Sequence, residues 1–145
     1  MMPPALPIRL VPVSTDPAAL PRHRDSLEQA ERAFSRAAQS IGLDAAFARY
    51  GSADAINMGG SDRPDLIVGA AAIGRAVGAG TPADSSPVSW APDRVIVASG
   101  GDLGITFGMI RSNAPQPPGS AAPGTPFFTI WRRLGPDQPW RYVAE

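Results

Sequence analysis

The chain contains no cysteine and no lysine, and His23 is its only histidine. The first absence excludes disulfides, thiolate-bound zinc, iron–sulfur clusters and thiol nucleophiles. A lone histidine cannot build a histidine-cluster metal site, and neither a metal nor another cofactor is expected. His23 precedes the first periodic segment and reads as a surface residue. No apolar run approaches the length of a membrane span, so no membrane partner is expected. The opening Met1–Leu10 stretch lacks the charged start, long apolar run and small-residue cleavage site of a secretory signal. A cytoplasmic location is expected, with a mature periplasmic form as the alternative. Charge of one sign is also missing: 13 Arg are balanced by 13 acidic residues. No basic stripe alternates with aromatics, so nucleic acid is not an expected partner. Arginine without lysine, beside abundant Ala, Gly and Pro, reads as the codon usage of a GC-rich bacterium.

What is present fits one domain. A chain of 145 residues can bury roughly 70% of its unfolded surface. Pro3, Pro4, Pro7, Pro12, Pro17 and Pro21 crowd residues 1–24 and forbid a helix there. Residues 1–24 are therefore expected to be a Pro-rich extension ahead of a domain over 25–145. A first helix is predicted from Asp25 or Ser26, where Ser26-Leu-Glu-Gln29 fits a capping box. Leu27, Ala30, Phe34, Ala37 and Ile41 then make one apolar stripe, which Gly42 ends. Leu43, Ala46, Phe47 and Tyr50 predict a second, short helix closed by Gly51. Gly69 to Ala79, with Ile73 and Val77 on one face, predicts a third.

Ala55–Met58 and Leu66–Val68 read as short strands flanking the turn Gly59–Pro64. Val88–Ser99 is a strand in which Pro92 implies an edge, a bulge or a break. Gly100-Gly101-Asp102 is a hairpin turn, with Asp102 shaping it. It leads into Leu103–Ser112, whose Leu103, Ile105, Phe107 and Met109 share a face. Asn113–Pro126 is a hairpin loop long enough to fold over a pocket mouth. Phe127–Leu134 and Trp140–Ala144 form the last hairpin. Helices first and an antiparallel sheet last predict an α+β domain.

Several segments together resemble a known superfamily. Ala30-Glu-Arg-Ala-Phe34, Gly42-Leu-Asp-Ala-Ala-Phe47 and Ala53-Asp-Ala-Ile56 look like the opening of nuclear-transport-factor-2-like, or SnoaL-like, domains. Val68-Gly-Ala-Ala-Ala-Ile73 is similar to their strand-to-third-helix junction. Ser99-Gly-Gly-Asp-Leu-Gly104 and Thr129-Ile-Trp-Arg-Arg133 with Trp140-Arg141 resemble their last hairpins. The nearest branch is that of SnoaL-like proteins of unknown function. The resemblance covers residues 25–145 and implies a cone: three helices packed on a strongly curved, mostly antiparallel sheet. It also implies a pocket inside the cone and, in many relatives, pairing of two copies through the outer sheet face.

The catalytic residues of the isomerase-like members do not carry over. Where those members place a general-base Asp, this chain has Gly59. Phe34 stands where they have an oxyanion-donating Tyr, and Thr129 is nearest to their protonated acid. Asp62 and Asp65 read as solvated turn acids, with an acid pair at the mouth as the alternative, and Arg94 as an exposed residue, with an inward, carboxylate-binding Arg as the alternative. Catalytic residues are thus unassigned, and whether the chain is an enzyme stays open. The expected pocket lining is Tyr50, Asn57, Met58, Trp90, Phe107, Met109, Phe127, Thr129 and Trp131. Tyr50, Asn57 and Thr129 would orient a small apolar ligand in an otherwise apolar cavity. The same aromatics can instead simply fill a core, and Trp140 and Tyr142 suit either the interior or a dimer-forming face. Three functions are open: a small-molecule-binding domain without recognised catalytic machinery, an enzyme of lyase, isomerase or hydrolase type using Asp and Tyr, or a structural or regulatory homodimer. The enzyme requires a carboxylate inside the cone with a raised pKa.

Overall fold

A computed structural model describes residues 8–60, 62 and 65–145. Pro3, Pro4 and Pro7, and Ser61, Arg63 and Pro64 of the predicted turn, lie outside the described residues. A 3-10 turn over Pro17–Ala19 leads into helix α1, Leu20–Tyr50. Strands β1 (Gly51–Asn57) and β2 (Ile67–Val68) come next, then helix α2 (Ala70–Gly78). Strands β3 (Val88–Val97), β4 (Leu103–Ser112), β5 (Gly124–Arg132) and β6 (Arg141–Ala144) complete one six-stranded sheet in the order β2-β1-β6-β5-β4-β3. The sheet is mixed: β1 runs parallel to β6, and every other pairing is antiparallel.

The helical part departs from expectation in two ways. Helix α1 starts at Leu20, inside the segment whose prolines were expected to exclude a helix. Pro17 and Pro21 each occupy the first turn of their own helical segment, where a missing N–H costs nothing. Asp16 Oδ1 accepts from the Ala18 N–H at 3.0 Å and starts the turn. Ser26 is consequently not an N-cap but lies within α1, and its hydroxyl accepts from Trp140 Nε1 at 2.9 Å. The chain also has two α-helices rather than three. The two predicted pieces on either side of Gly42 form one element with a kink there, at φ 81° and ψ 166°. A Cβ at Gly42 would approach Pro82 O to 2.8 Å, so both the backbone angle and the close contact require glycine.

Three register shifts shape the sheet. Pro92 pairs with Gly108 while Arg94 pairs with Phe107, so β3 carries an extra residue at the predicted break. Tyr142 pairs with Trp131 while Ala144 pairs with Ile130, so β6 bulges at Val143. The β1–β6 pairing shifts between Gly51 and Ile56. Each bulge bends its strand and reverses the facing of the residues beyond it, and together they curve the sheet around α1. The face toward α1 carries Trp90, Val97, Thr106, Thr129, Trp131 and Tyr142, all buried. On β4 the inward positions are Gly104, Thr106, Gly108 and Ile110, so Leu103, Ile105, Phe107 and Met109 point outward. The helix sets that parity. A Cβ on Gly104 would lie 2.4 Å from Leu27 Cδ2 and 2.9 Å from Ile96 O, so a side chain there would force Leu27 and the neighbouring strand to shift.

The core is Leu27, Phe34, Ala38, Leu43, Ala46, Phe47, Ile73, Trp90, Trp131, Trp140 and Tyr142. Phe34 is its hub, meeting Phe47 edge-on at 4.7 Å and Trp90 at 4.9 Å, and stacking on Tyr142 at 5.7 Å. His23 is buried rather than on the surface. Arg133 donates to its Nδ1 at 2.7 Å, and also to Gly101 O, while lying over the Trp140 ring. Arginine can only donate, so the imidazole proton sits on Nε2. Burial first, then the charges of Arg133 and Arg22, push the His23 pKa down. On the outer face, Arg132 grips Asp54 with two bonds of 2.9 and 3.0 Å. Burial alone would raise the Asp54 carboxyl, but hydrogen bonds from Arg132 and Ser52 outweigh it and hold it low.

Candidate functional site

The inner face of the sheet and helix α1 line a partly open cavity of about 110 Å³. Its walls are apolar: Phe34, Leu43 and Phe47 from α1, Val77 from α2, Val88 and Trp90 from β3, Ile110 from β4 and Phe127 from β5. Its polar lining is Glu31, Thr129 and Glu145. No basic residue lines it among the described residues.

Glu31 is fully buried. It sits four residues after Leu27 and three before Phe34, on the stripe of α1 that faces the sheet. Three donors converge on it. Trp90 Nε1 donates to Oε1 at 2.8 Å, Trp131 Nε1 to Oε2 at 2.8 Å, and Thr106 Oγ1 to Oε2 at 2.7 Å. Burial raises its pKa, while the bonds from Thr106, Trp131 and Trp90 pull it back. The Thr106 hydroxyl lets either protonation state be satisfied. It can donate to an ionised Glu31, or accept from the acid and donate to Thr129 O, 3.4 Å away.

Glu145 comes directly after β6. Because the Val143 bulge reverses the strand's facing, its side chain enters beside Thr129 instead of pointing outward. Its backbone pairs with β1, the N–H donating to Ile56 O and the carbonyl accepting from Met58 N. Burial, and then repulsion from Glu31, push its pKa up to about 8, against a smaller lowering by the Asn57 amide. Glu145 Oε1 is buried with no hydrogen-bond partner among the described residues.

Of the predicted lining residues, Trp90, Phe127 and Thr129 reach the cavity. Trp131 lies fully buried beside it and touches it only through Glu31. Tyr50 stacks on Phe34 at 5.3 Å without lining the cavity. Asn57 faces Glu145 and accepts from the Gly59 N–H at 2.7 Å. Met58 is 70% exposed. Phe107 and Met109 lie on the outer face, Phe107 against Phe128 at 6.2 Å. Their side of β4 is the more hydrophobic in composition, but steric fit to α1 turned it outward. Asp62, Asp65 and Arg94 are exposed, and no Asp or Tyr lines the cavity among the described residues. The Tyr142 hydroxyl donates to Phe47 O at 2.7 Å. Neither carboxylate is among the residues that the sequence singles out. Glu31 has a legible signal, a charged residue spaced with Leu27 and Phe34. Glu145 has none, because its facing depends on a bulge. The loop after β4 is not among the residues that line the cavity.

Nor do the described residues bring three His, Cys, Asp or Glu side chains together as a metal site. No helix among them is long and apolar enough to cross a membrane.

No protein-family model and no curated protein sequence matches the chain. Solved structures do. An NTF2-like protein with a cystatin-like fold from Novosphingobium aromaticivorans is 15% identical over 88% of this chain and 81% of its own, with a TM-score of 0.56. A chain designated Rd1NTF2_05, carrying five substitutions, is 9% identical over 89% of this chain and 96% of its own, with a TM-score of 0.52. RV0760c from Mycobacterium tuberculosis, in complex with estradiol-17beta-hemisuccinate, is 13% identical over 85% and 91%, with a TM-score of 0.45. At such identities likeness shows fold alone, and the first two matches carry it. The described chain has the nuclear-transport-factor-2-like, cystatin-like fold: a curved, mixed six-stranded sheet wrapped around a long helix.

Proposed function

We propose that this chain is a small-molecule-binding cone domain whose ligand occupies the cavity between α1, α2 and strands β3 to β5. One observation carries the reading: an apolar-walled cavity is also lined by Glu145, whose buried Oε1 lacks a partner among the described residues. Buried polar atoms rarely stay unpaired, so a ligand that bonds this oxygen is favoured. Size limits the ligand. The cavity, at about 110 Å³, is below the roughly 150 Å³ that holds benzene and far below the roughly 300 Å³ where drug-sized sites begin. Molecules of a few heavy atoms fit. Thermal-shift and NMR titrations with 2-propanol and acetone, each of four heavy atoms, test this. Peak shifts are expected at the cavity residues, and Val88→Phe, which fills the space, should abolish them. No shift with either probe at saturating concentration would overturn the proposal.

A second reading has its own support. Glu31 and Glu145 both carry raised pKa values inside the cavity, the requirement set for an acid–base enzyme. Its carboxylates are then glutamates rather than Asp working with Tyr. A third concerns the outer sheet face, where Ile96 is 57% and Phe128 51% exposed beside Phe107. We propose that two copies pair there. Sedimentation should show a dimer that Phe128→Asp dissociates, and a monomer at high concentration would refute it.

A further inference from the structure

We infer that the ligand is a small organic ammonium ion, its charge held between Glu145 and Glu31 and its apolar body against the aromatic walls. The inference rests on the cavity reading above and adds the chemical class of the occupant.

Four features of the cavity point the same way. The first is electrostatic. Two carboxyl groups from different elements, α1 and the end of β6, face one pocket and repel each other. Nothing basic lines that space among the described residues. Buried charge must be paired, and the buried arginines among the described residues are engaged elsewhere, Arg132 with Asp54 and Arg133 with His23 and Gly101. An anionic ligand would add a third negative group, whereas a cation relieves the repulsion.

The second feature is hydrogen bonding. Glu31 already accepts from three donors, but Glu145 Oε1 has no partner among the described residues. That oxygen suits an N–H donor. The third is the wall. Phe34, Phe47, Trp90 and Phe127 line the cavity, with Phe47 and Trp90 inclined at 71° and 77° to Phe34. Aromatic faces attract cations, most strongly where water is excluded. The fourth is the donor set. Two carboxyls and one threonine leave calcium or magnesium to keep several waters in its shell, which the hydrocarbon walls would not hydrogen-bond, whereas they match a cation that carries its own alkyl groups.

Among the described residues, the charged and titratable groups facing Glu145 are Glu31 from α1 and Tyr142 from β6, with the neutral Asn57 amide from β1. None is basic, so ammonium binding requires Glu145 to ionise. With its pKa at about 8, the ionised fraction rises about tenfold between pH 7 and pH 9, and apparent affinity tracks that fraction. An alkylammonium keeps its charge over this range.

Calorimetry with isopropylammonium chloride and with 2-propanol, nearly the same shape but uncharged, tests the inference. Isopropylammonium is expected to bind at least about tenfold tighter than 2-propanol, and to tighten about tenfold from pH 7 to pH 9, while 2-propanol does not. Glu145→Gln should remove the preference and its pH dependence. The native protein's pH series stands by itself if that variant does not fold. Equal or tighter binding of 2-propanol, or ammonium binding that is flat with pH, would overturn the ammonium assignment and leave the cavity reading intact. Binding of neither probe would overturn both.

Discussion

Replacing Glu31 by leucine should destabilise the fold, even though it removes a buried charge. Swapping a whole buried ionic group for apolar residues is often neutral or favourable, but removing one partner is not. Glu31→Leu leaves its three donors in place. The Thr106 hydroxyl can turn to Thr129 O, and the Trp131 N–H has a second acceptor in Thr106 Oγ1 at 3.2 Å. The Trp90 N–H gives its one side-chain bond to Glu31. One indole donor is therefore stranded and a second weakened, at about 1–3 kcal/mol for each unmade bond. Relief of the carboxyl's desolvation returns part of this, so the net loss is about 2–4 kcal/mol. For a chain of 145 residues that lowers Tm by about 6–13 °C. Glu31→Gln keeps one acceptor and should cost about half as much. Calorimetric melting of the three proteins at pH 6 checks this. A Glu31→Leu protein as stable as the parent would refute the reasoning, because the indoles would then have been satisfied without the carboxylate.

Three other outcomes are expected. Glu145 has a folded pKa of about 8 against an ordinary 4.5, so its contribution is complete below about pH 4.5 and is lost as pH rises through 8. Urea titrations should show unfolding free energy falling over that window, with Glu145→Gln flattening the slope; an unchanged slope would count against its burial. Arg132→Met strands Asp54 and should cost roughly 3 kcal/mol near neutral pH. The loss should shrink in acid, because the depressed Asp54 carboxyl contributes above its ordinary pKa and loses that contribution as pH falls through its folded value. Gly42→Ala combines a φ of 81° with a 2.8 Å approach to Pro82 O and should cost at least about 2 kcal/mol in urea denaturation.

The sequence by itself determined the local structure. The break at Gly42, the hairpin turn at Gly100–Asp102, the irregularity at Pro92 and the order of helices before strands arise from backbone preferences acting over a few residues. Pro17 and Pro21 mislead because proline forbids a helix interior but not its first turn. Tertiary structure decided which surfaces face each other. Phe107 and Met109 share a strand face, as alternation requires, yet that face turned outward while Gly104 on the opposite face lies against Leu27 of α1. Glu31 became a buried acid through donors 59, 75 and 100 residues away along the chain. Glu145 entered the cavity through one extra residue in β6. Facing and burial depend on partners distant in sequence, and periodicity within a single segment does not contain them.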